Sequence, residues 1–432
     1  MTVVPILFTA SYDSKVRLWY DLEQHQISMT CKDLPGHAPS MDIFVGHDGA
    51  GIPWSFIVTA GARGMISAYT LGTQSLHIDL SLQRSSNKSN QNVTCVRFSN
   101  EADNHKHLFA TSYDAKVFLV MTSLIKQKFS ADQQQEFMHN TGREIAAVET
   151  CELTPRHTRS DKNMGSLDYA ATSCSVYRNG IECFVSDTHG QIWFWSPKAD
   201  KESWLTLLYR NERTRPIQSI ACDPCGEFLV ATDWDGLIYF FSIKIVNEST
   251  DNDVVTSTVE LIELTEPGWP YKAPTTVEKV YGLRVCWCHD AQRFAVSQSS
   301  GIISLFEMES AHVPRLLDNL VAGDETKWVW DLSFDSTGNF LVSGNSGGIV
   351  KLWKQNDSPT AEGPRWKCLK HREIKLQDFM DGRNTGVAHP SPTISSLIYR
   401  ELPICIYEEM KQNDKVRQQK HNEKFGGFNQ PR

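Results

Sequence analysis

The chain has 432 residues, a formal net charge of −8 and 22% charged residues. This acidic balance argues against a general nucleic-acid binder, because binding a phosphate backbone requires a clustered positive field. No apolar run approaches the roughly eighteen residues of a membrane span, so we expect no membrane insertion. The eleven cysteines are an odd number at scattered positions. We expect them to be reduced thiols in an intracellular, cytoplasmic protein.

A four-residue apolar signature recurs along the chain, and each copy follows a turn of small residues, Asp and Gly. Successive copies are 46 to 75 residues apart, and the shorter spacings match the period of a four-stranded propeller blade. Most of the turns also follow a short apolar run, so each repeat contains a hairpin. The copies are Val16–Trp19, Ile66–Tyr69, Val117–Val120, Ile192–Trp195, Ile238–Phe241, Ile303–Phe306 and Val350–Trp353.

The composition of these runs indicates a propeller. Each strand of a propeller blade lies between two neighbouring blades, so it buries both faces and its sequence is a near-continuous apolar run. The Gly or Asp before each signature suits the hairpin between the second and third strands. We therefore predict an all-β fold, a seven-bladed β-propeller. The alternative, a two-sheet sandwich, would not produce seven matching hairpins in register.

The chain begins with the second strand of a blade, Ile6 to Ser11, so the innermost strand of that blade must come from elsewhere. The segment 392–400 has the length and pattern of a first strand, and we expect it to complete the N-terminal blade and close the ring. The predicted propeller is one domain over residues 1–406. Residues 407–432 are polar, and we expect them to form a disordered tail or a solvated helix.

Blade insertions are expected where the spacing of the repeats increases. Residues 154–180 are predicted to interrupt the fourth blade between its first two strands, and 246–280 to extend the far end of the fifth blade. Residues 355–386 follow the last signature. Loops of this length are often functional or disordered, and the sequence does not decide between the two.

The candidate metal and catalytic residues are better explained by turns. Cys222-Asp-Pro-Cys225 has CxxC spacing, but no second CxxC or His pair accompanies it, and it occupies a strand-connecting turn. Asp187, His189 and Asp235 lie in hairpin turns, where such residues are expected for conformational reasons. We therefore predict no catalytic residues, no metal and no cofactor.

Arg210, Arg213 and Arg215 are a local exception to the acidic balance, in the loop before the fifth blade. Three arginines in a polar loop are usually solvated surface. The alternative is that they bind an anion or a partner, and the sequence leaves both open.

Two tryptophans of the last repeat, Trp328 and Trp330, belong to the candidate partner-binding surface. Alignment of the innermost strands on their apolar register places four other residues opposite Trp330: Arg284, Gln218, Thr94 and Ser395. We expect this position at one mouth of the central channel, and Trp and Arg are frequent interface anchors. The alternative is that both tryptophans pack between the sixth and seventh blades.

The repeats resemble the WD-repeat family. The resemblance rests on Lys327-Trp-Val-Trp-Asp-Leu-Ser-Phe334, followed by DSTGNFLVSGNSGGIVKLWK, and it covers all seven repeats. Within that family the chain is similar to the G-protein-β-like (Lst-eight) subunit of the TOR kinase complexes, in its Trp-x-Trp pair, its start in mid-blade and its weakly marked fourth repeat. It departs in its insertions, in the ending of the third repeat in Val120, and in having no full Trp-Asp ending.

The resemblance implies a non-catalytic scaffold, a monomeric propeller within a larger complex that acts in growth and nutrient signalling. The implied partners are a TOR-type phosphatidylinositol-kinase-related kinase and the other subunits of its complex, with no nucleic acid, and the face with Trp328 and Trp330 would hold the kinase domain. Contact with endomembranes would be peripheral, through the complex. The alternative is a WD-repeat adaptor of another assembly, such as a ubiquitin-ligase substrate receptor or a chromatin or trafficking subunit.

Overall fold

The computed structural model shows seven antiparallel sheets arranged in a ring around a central channel. The residues that it describes are 3–12, 15–19, 27–33, 38–47, 53–71, 77–82, 92–99, 106–127, 149–153, 169–178, 180–197, 204–251, 254–309, 313–323, 327–356, 365–369, 374–375, 393–410 and 412. The predicted seven-bladed all-β propeller is confirmed.

Apart from the innermost strand of blade one, the first four blades take their strands from the first half of the chain. Blade one contains β1 (Val3–Ser11), β2 (Lys15–Trp19) and β3 (Ile27–Asp33). Blade two contains β4 (Met41–His47), β5 (Pro53–Ala60), β6 (Met65–Leu71) and β7 (His77–Ser81). Blade three contains β8 (Val93–Phe98), β9 (His107–Ser112), β10 (Lys116–Met121) and β11 (Glu149–Glu152). Blade four contains β12 (Ala171–Tyr177), β13 (Glu182–Asp187), β14 (Gln191–Trp195) and β15 (Leu205–Arg210).

The remaining blades follow in chain order. Blade five contains β16 (Ile217–Cys222), β17 (Phe228–Asp233), β18 (Leu237–Asp251), β19 (Val254–Glu263) and the short β20 (Tyr271–Lys272). Blade six contains β21 (Gly282–Trp287), β22 (Arg293–Gln298), β23 (Ile302–Met308) and β24 (Pro314–Val321). Blade seven contains β25 (Val329–Phe334), β26 (Phe340–Asn345), β27 (Ile349–Gln355), β28 (Trp366–Cys368) and β29 (Ile374–Lys375). The last strand, β30 (Ile394–Pro403), returns to blade one.

The ring closes through this last strand. β30 pairs antiparallel with β1, from Val3 opposite Pro403 to Ser11 opposite Ile394, and it is the innermost strand of blade one. It also lies next to β25 of blade seven and β4 of blade two. Blade one is therefore assembled from two segments that are almost the whole chain apart.

The seven signatures are the third strands of the seven blades, counted outward from the channel. Their aromatic ends fill the gaps between blades, as Trp19 shows: its side chain is 1% exposed and belongs to an apolar cluster with Val342, Leu352 and Ile394. Burial of a large apolar side chain contributes about 1.5–3 kcal/mol, so these inter-blade clusters are the core of the fold.

The first insertion lies elsewhere than predicted. β11 pairs with β10 and is the outermost strand of blade three, whereas β12 is the innermost strand of blade four. Residues 154–168, which lie outside the described residues, therefore connect two blades, and the prediction that they interrupt the fourth blade was wrong. A four-residue strand such as β11 has too little pattern to identify its partner.

The second insertion extends blade five. β18 and β19 continue as a long hairpin to Asp251 and Val254, and β20 pairs with the start of β18 through Lys272 and Leu237. The hairpin is anchored on blade four, because the fully buried carboxylate of Glu182 accepts a hydrogen bond from the backbone N–H of Ser257 at 2.7 Å. The third insertion contributes β28 and β29, and residues 357–364, 370–373 and 376–386 of it lie outside the described ranges.

Helices are short in the described part of the chain. They span 122–127 and 404–410, with one 3-10 turn at Ala62–Gly64. Ile406 and Met410 of the second helix are buried against an apolar cluster of the first two blades. The tail was predicted over 407–432, but 407–410 belong to this helix, and the tail from 413 onward lies outside the described residues. No described helix is long and apolar enough to cross a membrane.

Candidate functional site

Six innermost strands share a β-bulge at the start of the strand, where one residue has no partner opposite it. A bulge redirects a side chain, and here it turns one residue of each strand towards the channel mouth. The bulged residues are Thr94, Thr172, Gln218, Leu283, Trp330 and Ser395. All six line one cavity of about 420 Å³.

All six sequence-predicted site residues line this mouth cavity, including Trp328. Arg284, however, does not occupy the position equivalent to Trp330. Register places Leu283 there, and Arg284 corresponds to Asp331, because Arg284 lies opposite Ser297 and Asp331 opposite Gly344. An alignment on apolar residues treats Leu283 as a core residue, whereas the bulge turns it to the channel.

Three of the bulged residues carry hydroxyls that link neighbouring blades. Each hydroxyl donates to a backbone carbonyl at the start of the next innermost segment. The bonds are Thr94 Oγ1 to Ala171 O (2.7 Å), Thr172 Oγ1 to Ile217 O (2.5 Å) and Ser395 Oγ to Ala38 O (2.7 Å). These hydroxyls are therefore engaged within the ring.

Four aromatic side chains form a continuous row along the other half of the mouth, which we call the aromatic arc: Trp234, Tyr281, Trp328 and Trp330. Ring centroids of successive members are 5.9, 5.6 and 5.5 Å apart. Trp234 is held in place because its indole N–H donates to Gln218 Oε1 at 2.9 Å. Among the described residues, the indole N–H groups of Trp328 and Trp330 have no hydrogen-bond partner. Both side chains are half-buried, so each offers an apolar face and a donor to the cavity.

Three exposed aromatic residues are among the members of this mouth that the sequence analysis missed. Tyr12, Tyr113 and Trp234 line the cavity and are 39%, 49% and 39% exposed. Burial, and then the proximity of Tyr113, raises the pKa of Tyr12. Each of the three directly follows the second strand of its blade, where the other blades have Gly, Thr or Ser. A large aromatic in that turn is the signal that could have identified them.

A buried ion pair lies behind the arc. Arg284 Nε is 2.7 Å from Asp331 Oδ1, and the Asp331 side chain is 2% exposed. The other carboxylate oxygen of Asp331 accepts hydrogen bonds from Ser396 Oγ (2.9 Å) and Leu397 N (2.8 Å) of β30. Asp331 therefore connects blades six, seven and one, and it neutralises Arg284.

The opposite mouth is a second cavity, of about 480 Å³, lined by the other ends of the same innermost strands. Two carboxylates line this second cavity, those of Asp331 and Asp42. Asp42 accepts hydrogen bonds from the backbone N–H groups of Phe98 (2.8 Å) and Ile43 (2.9 Å). Asp42 and Asp331 are thus both occupied by groups of the ring itself, which suits a structural role.

The three turn residues Asp187, His189 and Asp235 do not converge on a reactive site. Asp187 is fully buried and accepts hydrogen bonds from Tyr169, Trp193 and two backbone N–H groups, one of them that of His189. Burial raises its pKa, against the opposing effect of those hydrogen bonds. Asp235 lies at the surface, where it faces two arginines.

The Cys222–Cys225 segment is a turn. Asp223 between them accepts hydrogen bonds from the backbone N–H groups of Cys225, Glu227 and Phe228, as Asp335 does from Phe340 in blade seven. Burial raises the pKa of the Cys222 thiol. Across the described ranges, no group of three or more His, Cys, Asp or Glu side chains is arranged to hold a metal ion.

Comparison with known proteins agrees with this architecture. The WD domain, G-beta repeat family matches residues 206–242 and 318–354. Both matches begin in the outermost strand of one blade and end with the third strand of the next, so the sequence repeat is offset from the blade by one strand. No curated protein matches the chain in sequence.

Similar solved structures include two bacterial propellers. One, from Bacteroides fragilis and named as a candidate 6-phosphogluconolactonase, is 9% identical, with a TM-score of 0.56 over 92% of this chain and 98% of that one. A second of the same description, from Bacteroides uniformis, is 9% identical, with a TM-score of 0.57 over 87% and 97% of the two chains. At this identity the likeness shows the fold alone.

Proposed function

Because this chain is a seven-bladed WD-repeat propeller, we propose that it is a non-catalytic scaffold that binds a protein partner at the mouth cavity with the aromatic arc. The observation that carries this proposal is the arc itself, which presents half-buried tryptophans on a rigid ring, with two indole N–H groups that have no partner in the described part of the chain. Aromatic side chains of this kind are the usual anchors of protein interfaces. A preformed surface also loses little conformational entropy on binding.

The non-catalytic part of the proposal is supported by how the channel carboxylates are used. Asp42 and Asp331 accept backbone and side-chain hydrogen bonds from the ring, and Arg284 is paired with Asp331. A catalytic acid or base must be within hydrogen-bond reach of a substrate proton. The oxygens of Asp42 and Asp331 are instead bonded to groups of the ring, so these carboxylates are not placed for catalysis.

The narrower form of the proposal is that the partner is a TOR-type kinase, with the mouth cavity holding a projecting segment of its kinase domain. This rests on the resemblance of the Trp-x-Trp pair and the mid-blade start to the Lst-eight subunit. A WD-repeat adaptor of a different assembly would use the same surface. The identity of the co-purified partner separates the two.

The test is affinity purification of the tagged full-length chain from its native cells. The Trp328→Ala/Trp330→Ala variant is compared with wild type and with Trp287→Ala, a half-buried tryptophan of the opposite mouth. We expect the partner with wild type and Trp287→Ala, and its loss from the folded double variant. Recovery of a TOR-type kinase supports the narrower form, and another assembly supports the adaptor. A partner retained by the double variant would overturn the assignment to this mouth.

A further inference from the structure

A second surface adjoins the aromatic arc, and it is basic. It is a cleft of about 450 Å³ that shares Trp234 and Tyr281 with the mouth cavity, so the two form one continuous surface. The charged side chains that line it are Arg213, Arg215, Lys272, Lys279, Asp235 and Glu278. Four cations against two anions leave a surplus of positive charge, on a chain whose overall net charge is −8.

The charges within the basic cleft are only partly compensated. Asp235 Oδ2 serves both arginines, at 3.3 Å from Arg215 Nε and 3.8 Å from Arg213 Nη1, and both arginine side chains are more than half exposed. Among the described residues, Lys272 and Lys279 form no ion pair. The guanidinium groups thus keep donors for a second carboxylate.

The backbone that carries the two arginines is held by buried contacts. Asn211 is 2% exposed, and its amide donates to Asp233 Oδ2 (3.1 Å) and to the Tyr239 hydroxyl (2.9 Å). Its side-chain oxygen Oδ1 accepts a hydrogen bond from the backbone N–H of Arg213 at 2.9 Å. Thr214, between the arginines, has a left-handed φ of 50°, which a non-glycine residue adopts only when its surroundings impose it.

The other wall of the basic cleft is equally defined. In β20, Lys272 lies opposite Leu237 of β18. Leu237 directly follows the turn that contains Trp234 and Asp235. Gly236 in that turn has φ +72°, and a Cβ there would lie 2.9 Å from the Val280 carbonyl oxygen, so the turn packs directly on the segment with Lys279. The cleft is therefore preformed by the second insertion and the blade-five turn.

We infer that the partner segment is an acidic peptide, which inserts an apolar side chain against the aromatic arc and lays neighbouring Asp or Glu side chains over Arg213, Arg215, Lys272 and Lys279. This inference rests on the proposed function and specifies its ligand. The shared residues Trp234 and Tyr281 require the apolar and acidic parts to be adjacent in the peptide. Charge complementarity of this kind selects the partner and speeds its association.

The experiment is selection of a phage-displayed library of random twelve-residue peptides on the immobilised full-length chain. Phage that also bind the Trp330→Ala variant are removed, so that the remaining peptides are those that bind at the mouth cavity. The selected peptides are synthesised, and their affinities are measured for wild type, for Arg213→Gln/Arg215→Gln and for Arg315→Gln. Arg315 is a comparably exposed arginine on the outer strand of blade six, paired with Glu307 and Glu309, and serves as the matched control.

We expect the selected peptides to combine an apolar residue with adjacent Asp or Glu. Their affinity should fall about tenfold in the double arginine variant, as for two exposed ion pairs, with no change for Arg315→Gln. Neutral or basic peptides that need Trp330 but not the arginines would overturn the acidic inference and leave the proposed function standing. A selection without any Trp330-dependent peptide would overturn both. Tighter binding of a mixed-sequence RNA oligonucleotide than of any peptide, lost in the arginine variant, would also overturn the inference.

Discussion

The two halves of the channel mouth use the same backbone device for different purposes. On one side, bulged Thr94, Thr172 and Ser395 donate their hydroxyls to the next blade, so their polar groups are engaged in closing the ring. On the other side, the bulged residues are Gln218, Leu283 and Trp330, which have no hydroxyl to make that bond. There, closure is made one position later by Asp331, which binds Arg284 and β30. Moving the inter-blade contact by one residue leaves the bulge position available for a partner.

Removal of Asp331 should have the largest effect. We expect Asp331→Ala to lower the free energy of unfolding by about 3–5 kcal/mol, because it leaves the largely buried charge of Arg284 and the N–H of Leu397 without their acceptor. Urea denaturation of the purified chain measures the loss. Asp331→Asn, which keeps one acceptor oxygen, should lose less. A loss below about 1 kcal/mol for the alanine variant would show that Asp331 does not close this half of the ring.

Exchange of the bulged residue itself should separate binding from stability. We expect Trp330→Thr to weaken binding of the co-purified partner by at least about 2 kcal/mol, as for an interface anchor. Its free energy of unfolding should stay close to that of wild type, since a threonine at the bulge can donate to β30 as Thr94 does to Ala171. Binding is measured by titration calorimetry. Thr172→Ser, at the equivalent bulge of blade four, is the control and should leave binding unchanged.

A smaller effect is expected in the half of the mouth with the hydroxyls. Thr94→Val keeps the shape of the side chain but removes the donor to the Ala171 carbonyl, so we expect a loss of about 1 kcal/mol in the free energy of unfolding and no change in partner binding. Thr94→Ser retains the hydroxyl and should be nearly neutral. Equal stability of the valine and serine variants would mean that this hydrogen bond does not hold the ring.

The hairpin turns provide the smallest and most specific effect. Asp187 and Asp233 accept hydrogen bonds from their own turns in blades four and five, whereas blade seven has the neutral Asn345 in the same role. Burial raises the pKa of both carboxyls, so the folded state binds these protons more tightly than the unfolded state does. Their contribution to stability is therefore present below the unfolded pKa of about 4 and is lost as the pH rises through the folded pKa.

We expect the free energy of unfolding of wild type, relative to Asp187→Asn/Asp233→Asn, to increase by up to about 1 kcal/mol as the pH falls from 7 to 4.5. Urea denaturation at several pH values measures this difference. Asn345→Asp should introduce the same dependence in blade seven. A difference between wild type and the double variant that does not change with pH would contradict the assignment.

The strands of the propeller could be predicted from the sequence because both of their faces are buried, which makes every third strand a recognisable apolar run. Arg284 was aligned with the wrong position, because the bulge shifts the register by one residue. The sequence does not reveal the shift, since an apolar residue such as Leu283 fits the pattern of a core position as well as that of a channel position. The insertion at 154–180 was placed inside the fourth blade, since the four residues of the preceding β11 carry no pattern of their own and only the pairing with β10 identifies that strand. The aromatic arc was found in part: Trp328 and Trp330 stand out at the start of a strand, whereas Tyr281 and Trp234 come from a loop and a turn.

The pairing of β1 with β30 also sets the order of events during synthesis. The ribosome must complete about 390 residues after β1 before its partner strand exists, so blade one waits with one edge unpaired while blades two to seven can form. Contacts between such distant segments are slow to form, and an exposed edge strand can pair with another chain in the meantime. A nascent propeller of this design is therefore most vulnerable to misassembly just before its final strand emerges.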